Sequence, residues 1–162
     1  MYLRELKTED APLMLKWMHD ESVVGKLRGN FAEKTLDDCN KFIDSSISNK
    51  NIHLAIASDT DEYMGTVSLK NIEDGSAEFA ITVRAEAMGR GYSWFGMEAI
   101  IEKAFKELNL DCVYWCVSKE NERAVRFYDK HNFHEFVDVP DKILERYKGL
   151  DNLKWYSVLN GD

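Results

Sequence analysis

Cysteine and proline are scarce in this sequence of 162 residues, which contains three cysteines and two prolines. Cys39, Cys112 and Cys116 are too few and too irregularly spaced for a disulfide framework or a zinc motif. Reduced, buried thiols are expected instead, as is usual in a cytoplasmic protein. The four histidines, from His19 to His134, also lack metal-ligand spacing. The sequence therefore predicts no metal site.

Long apolar runs and positive charge are also in short supply. No stretch approaches the roughly 18 apolar residues of a membrane-spanning helix, and the first residues lack the apolar core of a signal peptide. The formal net charge is −8, which argues against nonspecific nucleic-acid binding because that binding depends on lysine and arginine. We expect a cytoplasmic protein with neither a membrane nor a nucleic-acid partner. The sequence leaves the oligomeric state open, with a homodimer as one option.

Along the sequence, segments with strand-like patterns alternate with segments with helix-like patterns. Ala77, Phe79, Ile81 and Val83 share one face of a strand, and 112–117 is apolar almost throughout, as in a strand buried on both faces. A helical pattern between them makes a parallel strand–helix–strand unit. The patterns predict strands at 2–6, 52–57, 63–69, 77–83, 112–117, 133–139 and 153–159, helices at 8–20, 35–49, 93–108 and 121–132, a short helix or loop at 141–147, and a loop or broken helix at 21–34.

These elements predict a single α/β domain over 1–162, with a mixed, mostly antiparallel sheet of about seven strands. Its centre is a glycine turn that follows the strand ending at Val83 and begins a helix. Glycines let backbone N–H groups approach an anion, and the N–H groups at a helix start lack intrahelical partners. Arg84, Arg90, Arg123 and Arg126 add local positive charge, although at least one is expected to be an ordinary surface charge. A phosphate-binding turn is the prediction.

The order of these motifs resembles the GNAT superfamily of N-acetyltransferases. Its Gln/Arg-x-x-Gly-x-Gly/Ala turn maps onto 88–93, where Met88 replaces Gln/Arg and Ser93 replaces Gly/Ala. The segment Asn121-x-x-Ala-x-x-x-Tyr128 matches a later family motif. The resemblance, strongest over 63–133, implies acetyl-CoA as co-substrate. It also implies two splayed central parallel strands and about four flanking helices. The most similar branch acts on ribosomal-protein alanine, amino sugars or polyamines.

The resemblance also implies positions for the co-substrate. Backbone groups near Ile81 to Val83 would pair with pantetheine, and the glycine turn would hold the pyrophosphate. Asn121 is either a cofactor contact or a helix N-cap, or both. The implied cofactor-binding residues are Ile81, Thr82, Val83, Met88, Gly89, Arg90, Gly91, Tyr92, Ser93, Asn121 and Arg126.

Two residues are expected to be catalytic. Tyr128 matches the family's general acid, and a phenol with a pKa of about 10 is protonated at neutral pH; on its residue pattern alone it would be a core tyrosine. A glutamate that some members carry is replaced by Cys116. Glu78 is then the nearest candidate base, with a salt-bridged strand residue as an equal alternative. A nucleophilic role for Cys116 is disfavoured because a thiol on a buried strand is normally inert.

The resulting hypothesis is acetyl transfer from acetyl-CoA to a primary amine by direct attack in a ternary complex. Without a strong base the site should suit an α-amine or an amino sugar. A non-catalytic acyl-CoA-binding or sensing module of the same fold is the alternative. The acceptor should depend on the loops at 20–34 and 138–152. Arg28, Asn30 and Phe31 are candidate contacts there, and Trp17 is expected in the core rather than in an acceptor pocket.

Overall fold

The computed structural model describes residues 1–27 and 29–162, and this part of the chain forms one seven-stranded mixed sheet in the order β1-β2-β3-β4-β5-β7-β6. Neighbouring strands are antiparallel except for the central parallel pair β4–β5. The predicted fold class is thus confirmed. The strands are β1 Tyr2–Glu5, β2 Ile52–Ala57, β3 Tyr63–Glu73, β4 Ser76–Val83, β5 Cys112–Ser118, β6 His134–Glu135 and β7 Leu153–Leu159.

Four helices of eight or more residues flank the sheet in the described part of the chain, together with two shorter helices and two 3₁₀ turns. The longer ones correspond to the four helices expected from the sequence. The helices are α1 Ala11–Met18, α2 Glu21–Val24, α3 Leu36–Asp44, α4 Tyr92–Lys106, α5 Glu122–Lys130 and α6 Asp141–Glu145, and the 3₁₀ turns are Thr8–Asp10 and Ala85–Ala87.

Local hydrogen bonds explain several helix ends. The Thr35 hydroxyl accepts the N–H of Asp38, and the Asp38 carboxylate accepts the N–H of Thr35, so α3 begins with the predicted capping box. After α5, Asn132 adopts φ 58°, the left-handed conformation expected there. Asn121 caps the start of α5 by accepting the N–H of Ala124 at 3.3 Å.

Several predicted boundaries are wrong, and β3 runs to Glu73 instead of ending at 69. The first helix begins after a 3₁₀ turn and ends at Met18, because Asp20 caps α2 instead. Helix α3 ends at Asp44 rather than near 49. Just after this end, the Ser45 hydroxyl donates back to the Lys41 carbonyl, a bond that competes with continuation of the helix. The strand expected over 133–139 is reduced to β6: Phe136 still donates its N–H to the Trp155 carbonyl of β7, but Val139 packs in the cluster around Ile143.

The sheet has two covered faces, which we name after their helices. The α4 face packs α4 and α5 through residues such as Ile100 and Tyr128, and it holds Phe79 and Trp115 from the central strands. The opposite α1 face packs α1 and α3 over the N-terminal strands, and α6 over β5 and β7. Because side chains alternate along a strand, Glu78, Ala80 and Thr82 of β4 lie on the α1 face.

Candidate active site

The two parallel strands at the centre of the sheet pair over a short distance and then separate. Their register pairs are Ser76 with Cys112, Ala77 with Val113 and Glu78 with Tyr114. Beyond Glu78, β4 stays paired with β3 on its other side as far as Val83, and β5 stays paired with β7. The gap between the strands therefore opens at Glu78, and it exposes one edge of β4.

The exposed edge of β4 carries backbone groups that point into this gap. Arg84 donates its N–H to Met64 on β3, and the Gly75 carbonyl accepts from Asp111 at the start of β5. Backbone groups alternate in direction along a strand, so those of Phe79, Ile81 and Val83 face the gap. Those of Thr82 face β3. Of the three strand residues assigned to the co-substrate, Ile81 and Val83 thus present main-chain groups to the gap, while the Thr82 side chain borders a cavity on the α1 face.

The glycine turn lies at the end of this edge. Gly89 and Gly91 adopt φ +74° and +88°, a region that strains other residues. Gly91 is the N-cap of α4 and supplies no side-chain cap, so the first-turn N–H groups of Tyr92 and Ser93 retain hydrogen-bonding capacity. Tyr92 itself is buried and anchors the helix start in the core. An uncapped helix start in a glycine turn has the chemistry of a diphosphate site.

The arginines near the turn have different environments. Arg84 is buried and pairs with Glu62 at 2.7 Å and Glu86 at 3.2 Å, so it supports the fold of the turn. Arg90 is exposed and lies 5.5 Å above the Tyr92 ring.

On α5, the Arg123 guanidinium lies 3.1 Å from the Met88 sulfur, which brings that helix next to the turn, and Arg126 is exposed one helical turn further. At least two exposed arginines, Arg90 and Arg123, thus lie at or next to the turn.

Tyr128 is buried among aromatic rings on the α4 face. Its ring lies 5.3 Å from that of Trp115 and 5.1 Å from that of Tyr156. Burial raises the pKa of Tyr128 above its ordinary value, and Tyr156 and Cys116 raise it further. Cys116 belongs to the part of β5 that has separated from β4. The phenol is therefore protonated at neutral pH, and its ring packs against Trp115, which follows the last residue of β5 paired with β4.

Glu78 lies at the point where the gap opens, on the other face, and only 3% of its surface is exposed. Its carboxylate accepts a hydrogen bond from the Tyr147 hydroxyl. Lys70 Nζ is 3.5 Å from one oxygen and Arg146 Nη1 is 3.9 Å from the other. Glu78 is thus a buried, ion-paired residue whose partners come from β3 and from the segment after α6.

A cavity of about 260 Å³ opens on the α1 face beside β4. Its walls are mainly apolar side chains from α1, α3 and the segment between α2 and α3. Phe31 is one of them, and Trp17, for which the sequence favours a core role over a pocket role, both packs in the core and faces the cavity. Asn30 bonds Glu33 instead, and Arg28 lies outside the described residues. The lining residues are Met14, Trp17, Met18, Phe31, Lys34, Asp38, Phe42, His53, Thr66, Ser68, Ala80, Ile81 and Thr82.

Sequence reasoning missed the polar floor of this cavity, formed by His53, Thr66 and Ser68. A partial signal was available, because Thr66 and Ser68 alternate with apolar residues on β3 and His53 interrupts the apolar run of β2. Among the described residues there is no group of three or more His, Cys, Asp or Glu side chains that could hold a metal. The same part of the chain contains no helix long and apolar enough to cross a membrane.

Comparison with known families decides the assignment, because the model of the acetyltransferase (GNAT) domain matches residues 1–134. The chain belongs to the GNAT family. It is accordingly an N-acetyltransferase whose co-substrate is acetyl-CoA. The open β4 edge, the uncapped helix start and the buried phenol fit that co-substrate. A comparison with the sequences of curated proteins finds no match.

Solved structures of N-acetyltransferases share this fold. A spermidine N-acetyltransferase from Vibrio cholerae, in complex with CoA and spermine, superposes with a TM-score of 0.79 at 21% identity, covering 98% of this chain and 95% of that one. The same enzyme in complex with manganese ions gives 0.68 at 22% identity, covering 98% and 92%. A chimera of the Vibrio cholerae enzyme and hSSAT gives 0.78 at 21% identity, covering 98% and 95%. At such identities the likeness concerns the fold.

Proposed function

We propose that this GNAT acetyltransferase acts on a primary amine of low pKa, an α-amine or an amino sugar, rather than on a polyamine. The observation that carries the proposal is the cavity beside the open edge of β4. It lies on the α1 face, whereas Tyr128 lies on the α4 face, and the gap between β4 and β5 joins them. An amine in the cavity and an acid below the gap would approach a thioester from opposite sides. This arrangement suits direct transfer in a ternary complex.

The charge of the cavity argues against a polycation. Asp38 is the one carboxylate among its described lining residues, and both the backbone and the hydroxyl of Thr35 bond it within the helix cap. Lys34 brings a positive charge to the same lining. A polyamine carries several ammonium groups, and burying each of them without a partner is costly. An acceptor with one amine and an uncharged body avoids that cost.

The energetics of deprotonation point the same way. The nucleophile is the neutral amine. Freeing a lysine-like amine of pKa about 10.4 from its proton at pH 7 costs roughly 4–5 kcal/mol, whereas an α-amine of pKa about 8 costs roughly 1–1.5 kcal/mol. β5 carries Cys116 where some family members carry a carboxylate, so the site has less basic assistance to offer. An amine of low pKa needs less assistance from a base.

The proposed roles of the site residues follow from these positions. Tyr128 donates its proton to the departing thiolate. Glu78 accepts the proton of the amine, through bridging water or through its Tyr147 partner, since Ala80 of the cavity wall follows it on the same strand face. Ile81 and Val83 supply main-chain groups for pantetheine and for the thioester oxygen.

The diphosphate and the rest of the co-substrate have their own proposed partners. Residues 88–93 bind the diphosphate, with the first-turn N–H groups of Tyr92 and Ser93 as donors. Arg126 supplies positive charge, and Asn121 contacts the co-substrate while it caps α5.

The test is release of CoA thiol from acetyl-CoA with matched amines at pH 7. Alaninamide, leucinamide and glucosamine represent the proposed class, and spermidine and Nα-acetyl-lysinamide represent the excluded one. We expect higher kcat/KM for the first group. Faster turnover of spermidine or of the lysine derivative would contradict the proposal. Binding of CoA without turnover of any amine would instead favour a non-catalytic, acyl-CoA-sensing role.

The role of Glu78 has a separate test in the variant Glu78→Gln, with Glu73→Gln as the matched control. Glu73 pairs with the same Arg146 at 3.1 Å but lies outside the gap. Loss of a general base should lower kcat at pH 7 by about 100-fold or more. The deficit should shrink near pH 9, where the amine is already neutral. Equal effects of the two variants would assign Glu78 a structural role only.

A further inference from the structure

The floor of the cavity carries a histidine that the reaction described above does not use. His53 on β2 faces Ser68 on β3, which in turn faces Ala80 on β4, so the three residues form one row across the sheet. His53 Nδ1 lies 2.6 Å from the Ser68 hydroxyl. The Phe42 ring packs 4.6 Å from the imidazole, measured between centroids. The ring is thus fixed in place, and Nε2 is the nitrogen that a ligand in the cavity can reach.

This imidazole is neutral at physiological pH. Burial, together with the nearby charge of Lys70, lowers its pKa from 6.5 to about 4. A neutral imidazole bonds a neutral group well, as donor or acceptor according to its tautomer. A cationic ligand group at the same position would be repelled by Lys34 in the cavity lining and by Lys70 nearby on β3.

We infer that the His53–Ser68 pair determines acceptor specificity by hydrogen bonding to a neutral polar group at the far end of the acceptor. The inference rests on the proposed function, because the acceptor amine is taken to lie at the open edge of β4. Two strand spacings separate β4 from β2, about 10 Å. A hydrogen bond to the imidazole spans about 3 Å of this, which leaves about 7 Å between the amine and the distal polar atom.

The walls between these two ends define the body of the acceptor. Trp17 and Phe31 pack together with centroids 5.4 Å apart, and Met14, Met18 and Phe42 complete an apolar lining. Of the two proposed acceptor classes, the α-amine fits these walls better, because an amino sugar would bury several hydroxyls against apolar side chains. The acceptor class is therefore an α-amine with an apolar or aromatic side chain that ends in a hydroxyl or an amide.

The kinetic test compares two acceptors that differ in one hydroxyl, tyrosinamide and phenylalaninamide, with acetyl-CoA. Both have an α-amine of similar pKa, so deprotonation does not distinguish them. The wild-type protein should prefer tyrosinamide in kcat/KM by about tenfold, the usual effect of one buried hydrogen bond. His53→Phe should abolish that preference, mainly through the KM of tyrosinamide. His134→Phe, on the exposed strand β6, is the control and should retain it.

A binding measurement separates this inference from the proposed function. The ¹⁵N resonances of the His53 imidazole, assigned with His53→Phe, are followed during titration with each amide in the presence of CoA. A shift with tyrosinamide that exceeds the shift with phenylalaninamide supports the inference even if turnover fails. Equal shifts with both amides, or a preference that survives in His53→Phe, would overturn it. Thermal melts of each variant verify that the fold is retained.

Discussion

Replacing Tyr128 with phenylalanine removes the hydroxyl and keeps the ring among its aromatic neighbours. The ring supplies the packing contacts with Trp115 and Tyr156, at 5.3 and 5.1 Å. We therefore expect the free energy of unfolding to change by less than about 1 kcal/mol, the usual net contribution of one hydrogen bond. Any large kinetic effect would then report on the chemistry.

The kinetic effect follows from the proposed acid role. Positioned proton transfer contributes about 10²- to 10⁴-fold to rate, so kcat should fall by that factor, or about 2.7–5.4 kcal/mol of transition-state stabilisation. The dissociation constant of CoA should stay within about twofold because the backbone groups of β4 and the glycine turn are unchanged. Burial raises the pKa of Tyr128, so ionisation of this phenol should not reduce wild-type activity up to pH 10.

Tyr156→Phe is the matched control. Tyr156 is a buried tyrosine of the same aromatic cluster, but its hydroxyl donates to Asp129 at 2.9 Å. Thiol release and calorimetric CoA binding are measured for both variants. A loss of kcat below tenfold in Tyr128→Phe, or an equal loss in Tyr156→Phe, would refute the acid assignment.

Three further predictions concern the turn, the histidine and the α3 cap. Gly91→Ala should weaken CoA binding by about tenfold and cost about 1–2 kcal/mol of stability, because φ is +88°; Gly149→Ala, at φ +86° in a distant loop, should cost similar stability but leave calorimetric CoA binding unchanged. His53 has a lowered pKa, so the unfolded state binds its proton first as pH falls. Stability should therefore drop between pH 6.5 and about 4 by about 1–2 kcal/mol, allowing for partial exposure, and urea titrations should show a smaller drop in His53→Phe. Thr35→Ala should lower the urea midpoint by an amount equal to about 1 kcal/mol, and an unchanged midpoint would mean that the cap contributes nothing.

The sheet could be predicted from sequence because its strands have strong local patterns. β2 and β7 have the predicted bounds, and the apolar run of β5 correctly indicated burial on both faces. The boundary errors arise where local side-chain bonds or tertiary packing compete with helix or strand propensity. The Ser45 back-bond ends α3, and the chain leaves the β7 ladder after the Phe136 N–H, where Val139 packs in the cluster around Ile143.

Of the candidate site, the sequence predicted the co-substrate side but not the cavity floor. Motif spacing located the glycine turn and the tyrosine on α5, since both belong to continuous segments. The cavity floor depends on the register between β2 and β3, which aligns His53 with Ser68. No local pattern sets that alignment, so sequence reasoning could not assemble it.

The short pairing between β4 and β5 has a mechanical consequence. Only three register pairs join β4 to β5, and we call this short contact between strands β1–β4 and strands β5–β7 the seam. Such a seam can act as a hinge, and a ligand arm laid along the unpaired edge would bridge the two halves like an extra strand. Backbone amides on both sides of the seam should then exchange with deuterium more slowly once CoA binds, including amides of β7 that never touch it.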